Sequence, residues 1–283
     1  MSTHDNTPDL GRIGLWRGGK IDPGFAAEIE RLGYGALWVG GSPAADLTDI
    51  ERLLDATDAI PVATGIVNVW QADAVTVAAS YHRIEARHPG RFLLGIGIGH
   101  PEATQEFAKP YATLVEYLDV LDAHEVPVGR RVLAALGPKV MKLSAERSAG
   151  AHPYLTTPEH TRQAREILGP GRLLVPDQKI VLETDRARAR EIGDGVLARY
   201  LGLQNYVSNL RRLGFTDEDF ADGGSDRLFD AVILNGDLAT IVAGVQAHLD
   251  AGADQVAVQV IGDGDGDDDL LPAYRTLAEA FSL

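Results

Sequence analysis

The chain has no cysteine among its 283 residues. That excludes disulfides, thiolate metal sites and a cysteine nucleophile. It has no apolar run of the ~18 residues that a membrane span needs. Its first ten residues are polar and contain no apolar segment resembling a signal peptide. Basic residues are outnumbered, with Lys plus Arg at 26 against 41 Asp plus Glu and a formal net charge of −15. This balance argues against nucleic acid or an anionic membrane as the main partner. There is no Gly-x-Ser-x-Gly elbow, no Walker loop, and no set of histidines and carboxylates with metal-ligand spacing. The acidic run from Asp263 to Asp267 resembles the start of a calcium loop, but Tyr274 stands where the closing glutamate belongs, so it reads as a solvated turn. The expectation is a soluble, cytoplasmic protein that acts on a small molecule.

What is present is a large apolar fraction, 45%, in a chain long enough to bury a substantial core. The stretch Arg91-Phe92-Leu93-Leu94-Gly95-Ile96-Gly97-Ile98-Gly99-His100 starts as a buried strand and ends in glycines at every second position. Alternation puts Gly95, Gly97 and Gly99 on one face. Two readings stand: a smooth face for a planar ligand, or glycines that let a barrel strand bend and pack tightly.

Other strands are expected at Ile13–Trp16, Ala36–Val39, Pro61–Val67, Arg131–Leu136, Gly150–Tyr154, Lys179–Leu182 (with a start as early as Leu173) and Gln255–Ile261. Helical segments lie between them, several opened by capping residues such as Asp22-Pro23, Thr157-Pro158 and Asp237. Eight strands alternating with helices predict a parallel α/β fold, a (β/α)₈ TIM barrel with a polar helical insertion over about 185–229, before the last strand. A doubly wound sheet is the alternative, but its first turn lacks the GxGxxG fingerprint. Residues 1–10 are expected to be a disordered arm and 11–283 a single barrel domain.

In such a barrel the chemistry sits at the C-terminal strand ends. Those ends are rich in glycine: Gly40-Gly41, Gly65, Gly97, Gly99 and Gly137. Gly137-Pro138-Lys139 opens a helix and offers an anion site, with Lys139 or Lys142 adding charge; an ordinary turn is the competing reading. Of eight histidines, only His100 and His152 fall at strand ends. Each is a candidate hydrogen-bond donor or general acid, against a purely structural role. His4, His82, His88, His160 and His248 are expected at the surface.

Three segments carry a resemblance. Leu32-Gly33-Tyr34-Gly35-Ala36-Leu37-Trp38-Val39, Pro89-Gly90-Arg91-Phe92-Leu93-Leu94-Gly95-Ile96-Gly97, and Ala134 to Val140 followed by Ala145 to Ala151 resemble, in order and spacing, motifs of the bacterial luciferase-like superfamily. The chain is most similar to its actinobacterial branch that uses the deazaflavin coenzyme F420.

The resemblance implies an oxidoreductase that holds F420, or alternatively FMN, at the barrel mouth and transfers hydride, usually as a homodimer. It implies a non-proline cis peptide at Gly65-Ile66-Val67 behind the cofactor ring. It places the cofactor phosphate near Gly137 and Tyr154, and the remaining cofactor contacts at Gly40, Gly41, Gly97, Gly99, Leu136 and Lys139. Arg17, Lys20, Arg130, Lys139 and Lys142 are candidates for the anionic tail of F420. The sequence departs from the family where Gly40-Gly41 replaces the Asp-His that follows strand two in many F420 enzymes. Any acid must then come from elsewhere, His100 or His152 among the candidates, which tilts the expectation toward reduction of an activated C=C or C=N bond. An FMN-dependent monooxygenase with a separate reductase partner and a non-catalytic cofactor-binding protein are the alternatives.

Overall fold

The computed structural model describes residues 7–100 and 109–283. In chain order the elements are β1 (Ile13–Arg17), α1 (Pro23–Arg31), β2 (Leu37–Val39), α2 (Thr48–Asp55), β3 (Val62–Thr64), β4 (Val67–Asn68), α3 (Ala74–Arg87), β5 (Phe92–Gly97), α4 (Pro110–Ala123), β6 (Arg131–Leu133), α5 (Pro138–Arg147), β7 (Gly150–Ala151), α6 (Pro158–Leu168), β8 (Leu173–Leu174), β9 (Asp177–Val181), α7 (Arg186–Leu201), α8 (Gln204–Arg212), α9 (Asp217–Phe220), α10 (Asp226–Val232), β10 (Ile233–Asn235), α11 (Leu238–Asp250), β11 (Val256–Val260) and α12 (Asp267–Phe281).

Helix starts follow from side-chain chemistry. The Asp22 carboxylate accepts from the amides of Gly24 and Phe25 with Pro23 at the first helical position. Asp73, Thr157, Asp185, Ser225 and Asp237 cap α3, α6, α7, α10 and α11 in the same way.

Every strand pair is parallel. β1 lies between β2 and β11, and the path continues through β3, β5, β6 and β7 to β8. The chain from Leu173 to Asp177 joins β7 through Leu173 N to Ala149 O, Val175 N to Ala151 O and Asp177 N to Pro153 O. On its other side β9 pairs with β11. With β8 and β9 counted as one interrupted strand, eight strands close a ring, as the alternation predicts. The helical insertion leaves from the end of β9. Two strands are additions that the sequence pattern did not show: β4 beside β5, and β10 beside β9.

The inner faces of the helices pack on the outside of the ring, with Ile29, Val77, Ile84, Leu118 and Leu121 all buried. A second layer inside it contains Trp38, Ala63, Leu93, Val132 and Ala257. The insertion brings its own core of Leu197, Leu210, Leu228, Phe229 and Ile233.

Residues 1–6, including His4, lie outside the described residues. From Thr7 the chain is anchored rather than loose: Leu10 is buried, its carbonyl accepts from Gln255, and the Thr7 hydroxyl donates to Gly129 O at 3.0 Å. The acidic turn that begins at Asp263 ends where α12 starts, because Asp267, Asp268 and Asp269 form the first turn of that helix. Carboxylates are stabilised there by the positive end of the helix dipole.

The glycine stripe of β5 is explained by packing. A Cβ on Gly95 would lie 1.8 Å from Thr64 O, one on Gly97 2.8 Å from Ile66 Cγ1, and one on Gly99 2.5 Å from Asn68 Nδ2. The segment 64–68 therefore lies directly against the bare face of β5. Gly95→Ala is expected to cost about 3 kcal/mol, the upper end of overpacking, because the obstructing atom is a backbone oxygen. Gly195→Ala, in α7 with nothing within 4 Å of the new methyl, is expected to stabilise by about 0.5–1 kcal/mol. Urea unfolding of the two variants checks both signs.

Candidate active site

The mouth of the barrel begins with Trp16, near the end of β1. Its indole covers Gly40, where a Cβ would be 2.1 Å from Cζ2, and reaches Gly65, where a Cβ would be 2.8 Å from Nε1. The indole N–H donates to Gly65 O at 3.3 Å. The Gly65–Ile66 peptide is cis, at the position that the resemblance implies. His152 sits beneath, stacked on Trp38 with ring centroids 4.2 Å apart. Its Nδ1 lies 2.7 Å from Val175 O. A carbonyl only accepts, so Nδ1 carries the proton and Nε2 presents a lone pair. That Nε2 is buried and has no partner, and it faces Gly65. Burial lowers the His152 pKa to about 4, so the ring is neutral near pH 7.

Beside His152 lies a buried polar cluster that the sequence reading did not single out. Asp177 and Lys179, two residues apart on β9, point the same way and pair at 2.7 Å with both side chains 0% exposed. Burial pulls the carboxyl up and the ammonium down, each opposed by the other's charge. Lys179 Nζ lies 3.5 Å over the Tyr154 ring. The Tyr154 hydroxyl donates to Gln259 Oε1 at 2.9 Å and shares a 2.6 Å bond with the Tyr200 hydroxyl. A phenol has one proton, so Tyr200 is the donor in the shared bond. Burial raises the pKa of both tyrosines, which keeps both phenols protonated. Tyr206 and His100 complete an aromatic wall, with centroids 5.2 Å apart. His100 Nδ1 is 3.0 Å from Asn205 Oδ1, which ties the end of β5 to the start of α8.

A third group gathers at α5. Gly137 caps the helix with no side-chain hydrogen bond. The nearest atom to its bare Cα face is Arg212 Nη2 of α8, 3.7 Å from an added Cβ. Arg212 donates to Asn209 Oδ1 at 2.9 Å. His160 Nε2 is 2.9 Å from Leu136 O.

Several expected site residues thus fall around the mouth: Gly40, Gly65, Ile66, Leu136, Gly137, His100, His152 and Tyr154. Others do not serve as expected. Gly97 and Gly99 are covered by Ile66 and Asn68, so no smooth glycine face is open to a planar ring. Val67 is fully buried in the hydrophobic core formed with the surrounding helices. Gly41 turns outward at a φ of +84° and is exposed. Lys139 is exposed and lies over the Tyr111 ring at 3.7 Å. Tyr154 belongs to the Lys179 cluster rather than to the anion end. Arg17 is bound to Asp267 at 2.9 Å, and Arg130 is buried with a 2.8 Å bond to Gly90 O. His160 and His248 are buried rather than at the surface, because each faces the packed side of its helix. His248 accepts from Thr161 at 2.8 Å and meets Gln178 Oε1 at 2.9 Å.

Among the described residues no cluster of histidine and carboxylate side chains is arranged to hold a metal. None of their helices is long and apolar enough to cross a membrane. The spacing of Asp177 and Lys179 does carry a signal, since a strand places i and i+2 on one face. Arg212 carries none, because its place depends on how α8 docks.

Residues 23–126 match the family described as luciferase-like monooxygenase. No curated protein sequence matches the chain. Among solved structures, an F420-dependent secondary alcohol dehydrogenase in complex with an F420–acetone adduct superposes with a TM-score of 0.71 at 13% identity, over 94% of this chain and 99% of that one. The coenzyme F420 dependent tetrahydromethanopterin reductase from Methanopyrus kandleri gives a TM-score of 0.72 at 17% identity, over 95% and 98%. The oxygenating constituent of 3,6-diketocamphane monooxygenase from Pseudomonas putida, in complex with FMN, gives 0.68 at 14%, over 95% and 96%. Residues 23–126 are thus similar in sequence to the luciferase-like monooxygenase family, and the chain shares its α/β barrel fold with F420-dependent and FMN-bound enzymes.

Proposed function

We propose that the chain is an oxidoreductase that holds F420 at the barrel mouth and reduces an activated C=C or C=N bond of a small organic substrate. The observation that carries this reading is the unpartnered, neutral Nε2 of His152, facing Gly65 beside an aromatic wall. A buried acceptor of this kind suits the N–H edge of a flat heterocycle. The fit is good at this edge and at the donor-rich end of α5. It differs from the sequence expectation in that Trp16, not bare glycine, forms the floor.

When bound, reduced F420 supplies the hydride. His152 Nε2 would accept a ring N–H, and the start of α5 at Gly137 would hold the phosphate. The proton comes from the chain itself: Tyr200, hydrogen-bonded to Tyr154 and through it to Gln259, is the hydroxyl at the mouth. Both tyrosines are held protonated, His152 is a weak base, and the Asp177 carboxylate is tied to Lys179, so the cluster offers protonated hydroxyls and no uncommitted base. That supports reduction over alcohol oxidation, which requires a base.

A second reading, an FMN-dependent monooxygenase, is favoured by the family match and by the FMN-bound neighbour. Titration with F420 and FMN, followed by fluorescence, separates the two. Tight F420 and weak FMN binding is the expected result. The reverse moves the reading to the monooxygenase, and binding of neither removes the cofactor hypothesis. Tyr200→Phe is then expected to lower turnover about 100-fold with cofactor affinity unchanged, the scale of a lost general acid.

A further inference from the structure

The indole of Trp16 and a side chain at position 40 exclude one another. The three atoms nearest to a Cβ added on Gly40 all belong to that indole, the closest at 2.1 Å. The departure at Gly40-Gly41 therefore has a physical counterpart, because Trp16 fills the room into which residue 40 would project. Glycines at three loops shape this room around a flat group. Gly40 lies against indole Cζ2, Gly65 against Nε1, and Gly18 against Cη2, where an added Cβ would be 3.2 Å away. The Tyr154 ring stands on another side, with centroids 5.1 Å apart.

The indole is an imperfect occupant. Its single N–H reaches Gly65 O at 3.3 Å, longer than the usual ~2.9–3.0 Å. It gives nothing to His152 Nε2, which stays unpartnered, although one point beside Gly65 lies 2.8 Å from the indole nitrogen and 3.2 Å from His152 Nε2. A buried acceptor left unpaired is costly. A ring that turned an N–H toward His152 would gain a bond that Trp16 does not make.

The indole can leave without moving the chain. Arg17 Nε is bound to Asp267 Oδ1 at 2.9 Å and Asp22 N to Asp267 Oδ2 at 2.7 Å, which pins the backbone on both sides of residues 18–21. The rim above is bare: Gly18, Gly19 and Gly41 carry no side chains, and a Cβ on Gly19 would meet nothing within 4 Å. At 8% exposure the indole lies just under this rim, so rotation between side-chain rotamers carries it out.

We propose that the Trp16 indole occupies the ring seat of the mouth as an internal stand-in, and that a flat heterocyclic ligand binds by turning it out to the rim and taking its place against Gly40, Gly65 and His152. Trp16 is then the residue that sets which rings enter, since only a ring that gains more than the indole loses can displace it. The inference rests on the proposed function only for the presence of a flat ring at the mouth.

The test uses the full-length protein with three ring probes: F420, FMN, and lumichrome, a flat tricycle without a tail. Trp16→Ala is expected to bind at least one of them ten times more tightly than wild type, because the fraction of molecules with an open seat no longer limits the apparent affinity. Gly40→Ala is expected to lower the urea midpoint of wild type by displacing the indole, and to leave that of Trp16→Ala nearly unchanged. In the Trp16→Ala background it still weakens the ring probe at least tenfold, because the ring needs the same space. Fluorine NMR of protein labelled with 5-fluorotryptophan gives three tryptophan signals, and the one missing from Trp16→Ala is expected to move to the solvent-exposed position when wild type is saturated. Affinity no higher in Trp16→Ala than in wild type overturns the proposal. So does ring binding in that variant that ignores Gly40→Ala, or a Trp16 signal that stays buried at saturation. Lumichrome bound by Trp16→Ala with neither cofactor bound supports the ring seat and sinks the cofactor reading alone, whereas a folded Trp16→Ala that binds none of the three sinks the seat itself.

Discussion

The protein is expected to lose about 6 kcal/mol of stability between pH 7 and pH 4, starting near pH 6.5, above the range where ordinary carboxylates titrate. The cause is two histidines buried in the neutral form. Burial lowers His152 from 6.5 to about 4 and His248 from 6.5 to about 3, with His160 adding to the latter effect. The unfolded chain binds protons at pH 6.5, whereas the folded chain resists them for roughly two and a half to three and a half further pH units. Folded-state pKa values below the unfolded value mean that the stability is fully present above pH 6.5 and lost as pH falls. At 1.36 kcal/mol per unit, each histidine accounts for about 3 kcal/mol by pH 4.

Hydrogen bonding agrees with these directions. His248 accepts at Nδ1 from Thr161 while Nε2 meets the Gln178 carbonyl oxygen, so protonation of the ring requires the Thr161 hydroxyl to turn from donor to acceptor, and no carboxylate among the described residues bonds the ring to offset the buried charge. Urea unfolding at pH 7, 5.5 and 4 measures the loss. His248→Gln, which can still donate and accept, is expected to reduce the pH dependence by about half. A stability that stays flat from pH 7 to pH 5 contradicts the account.

Lys179→Met is expected to destabilise by about 3–5 kcal/mol at pH 7, because it leaves the Asp177 carboxylate buried without its counter-ion. At this chain length that corresponds to a fall of about 10 °C in Tm. Both side chains are 0% exposed, and Asp177 Oδ2 already lacks a partner, so no second group takes over. In the variant the carboxyl titrates above its unfolded value, as burial raises it. Its contribution is therefore present at low pH and lost as pH rises, and Lys179→Met should recover part of its deficit on mild acidification. Adding Asp177→Leu removes the stranded charge, and the double variant is expected to return to within about 1 kcal/mol of wild type. A single variant as stable as wild type at pH 7 would show that the pair carries no such energy. The pair also supports the Tyr154 ring, so the double variant is expected to fold but to bind cofactor less tightly.

Local chemistry made most of the fold legible. Capping residues such as Asp22, Thr157 and Asp237 announce helices wherever they stand, because the side chain satisfies amides within its own turn. The alternation of eight apolar runs with helices required a parallel sheet, and the helical insertion showed itself by its polar composition. The resemblance located the mouth and the cis peptide at Gly65–Ile66. These features depend on short stretches of chain, and the sequence by itself determined them.

What touches what at the mouth was decided only by the tertiary structure. The glycines of β5 read equally as a ligand face or as a packing device, and only the position of the segment 64–68 shows that they accommodate Thr64, Ile66 and Asn68. Lys139, adjacent to Gly137 in sequence, turns to Tyr111. Arg212, remote in sequence, is the side chain that stands against Gly137. His160 and His248 looked like surface groups because helical position alone does not reveal which face a neighbouring helix will cover. The physical reason is common to all of these. Side-chain partners are set by the closing of the ring and the docking of α8, which bring together residues whose separation along the chain carries no information about their separation in space.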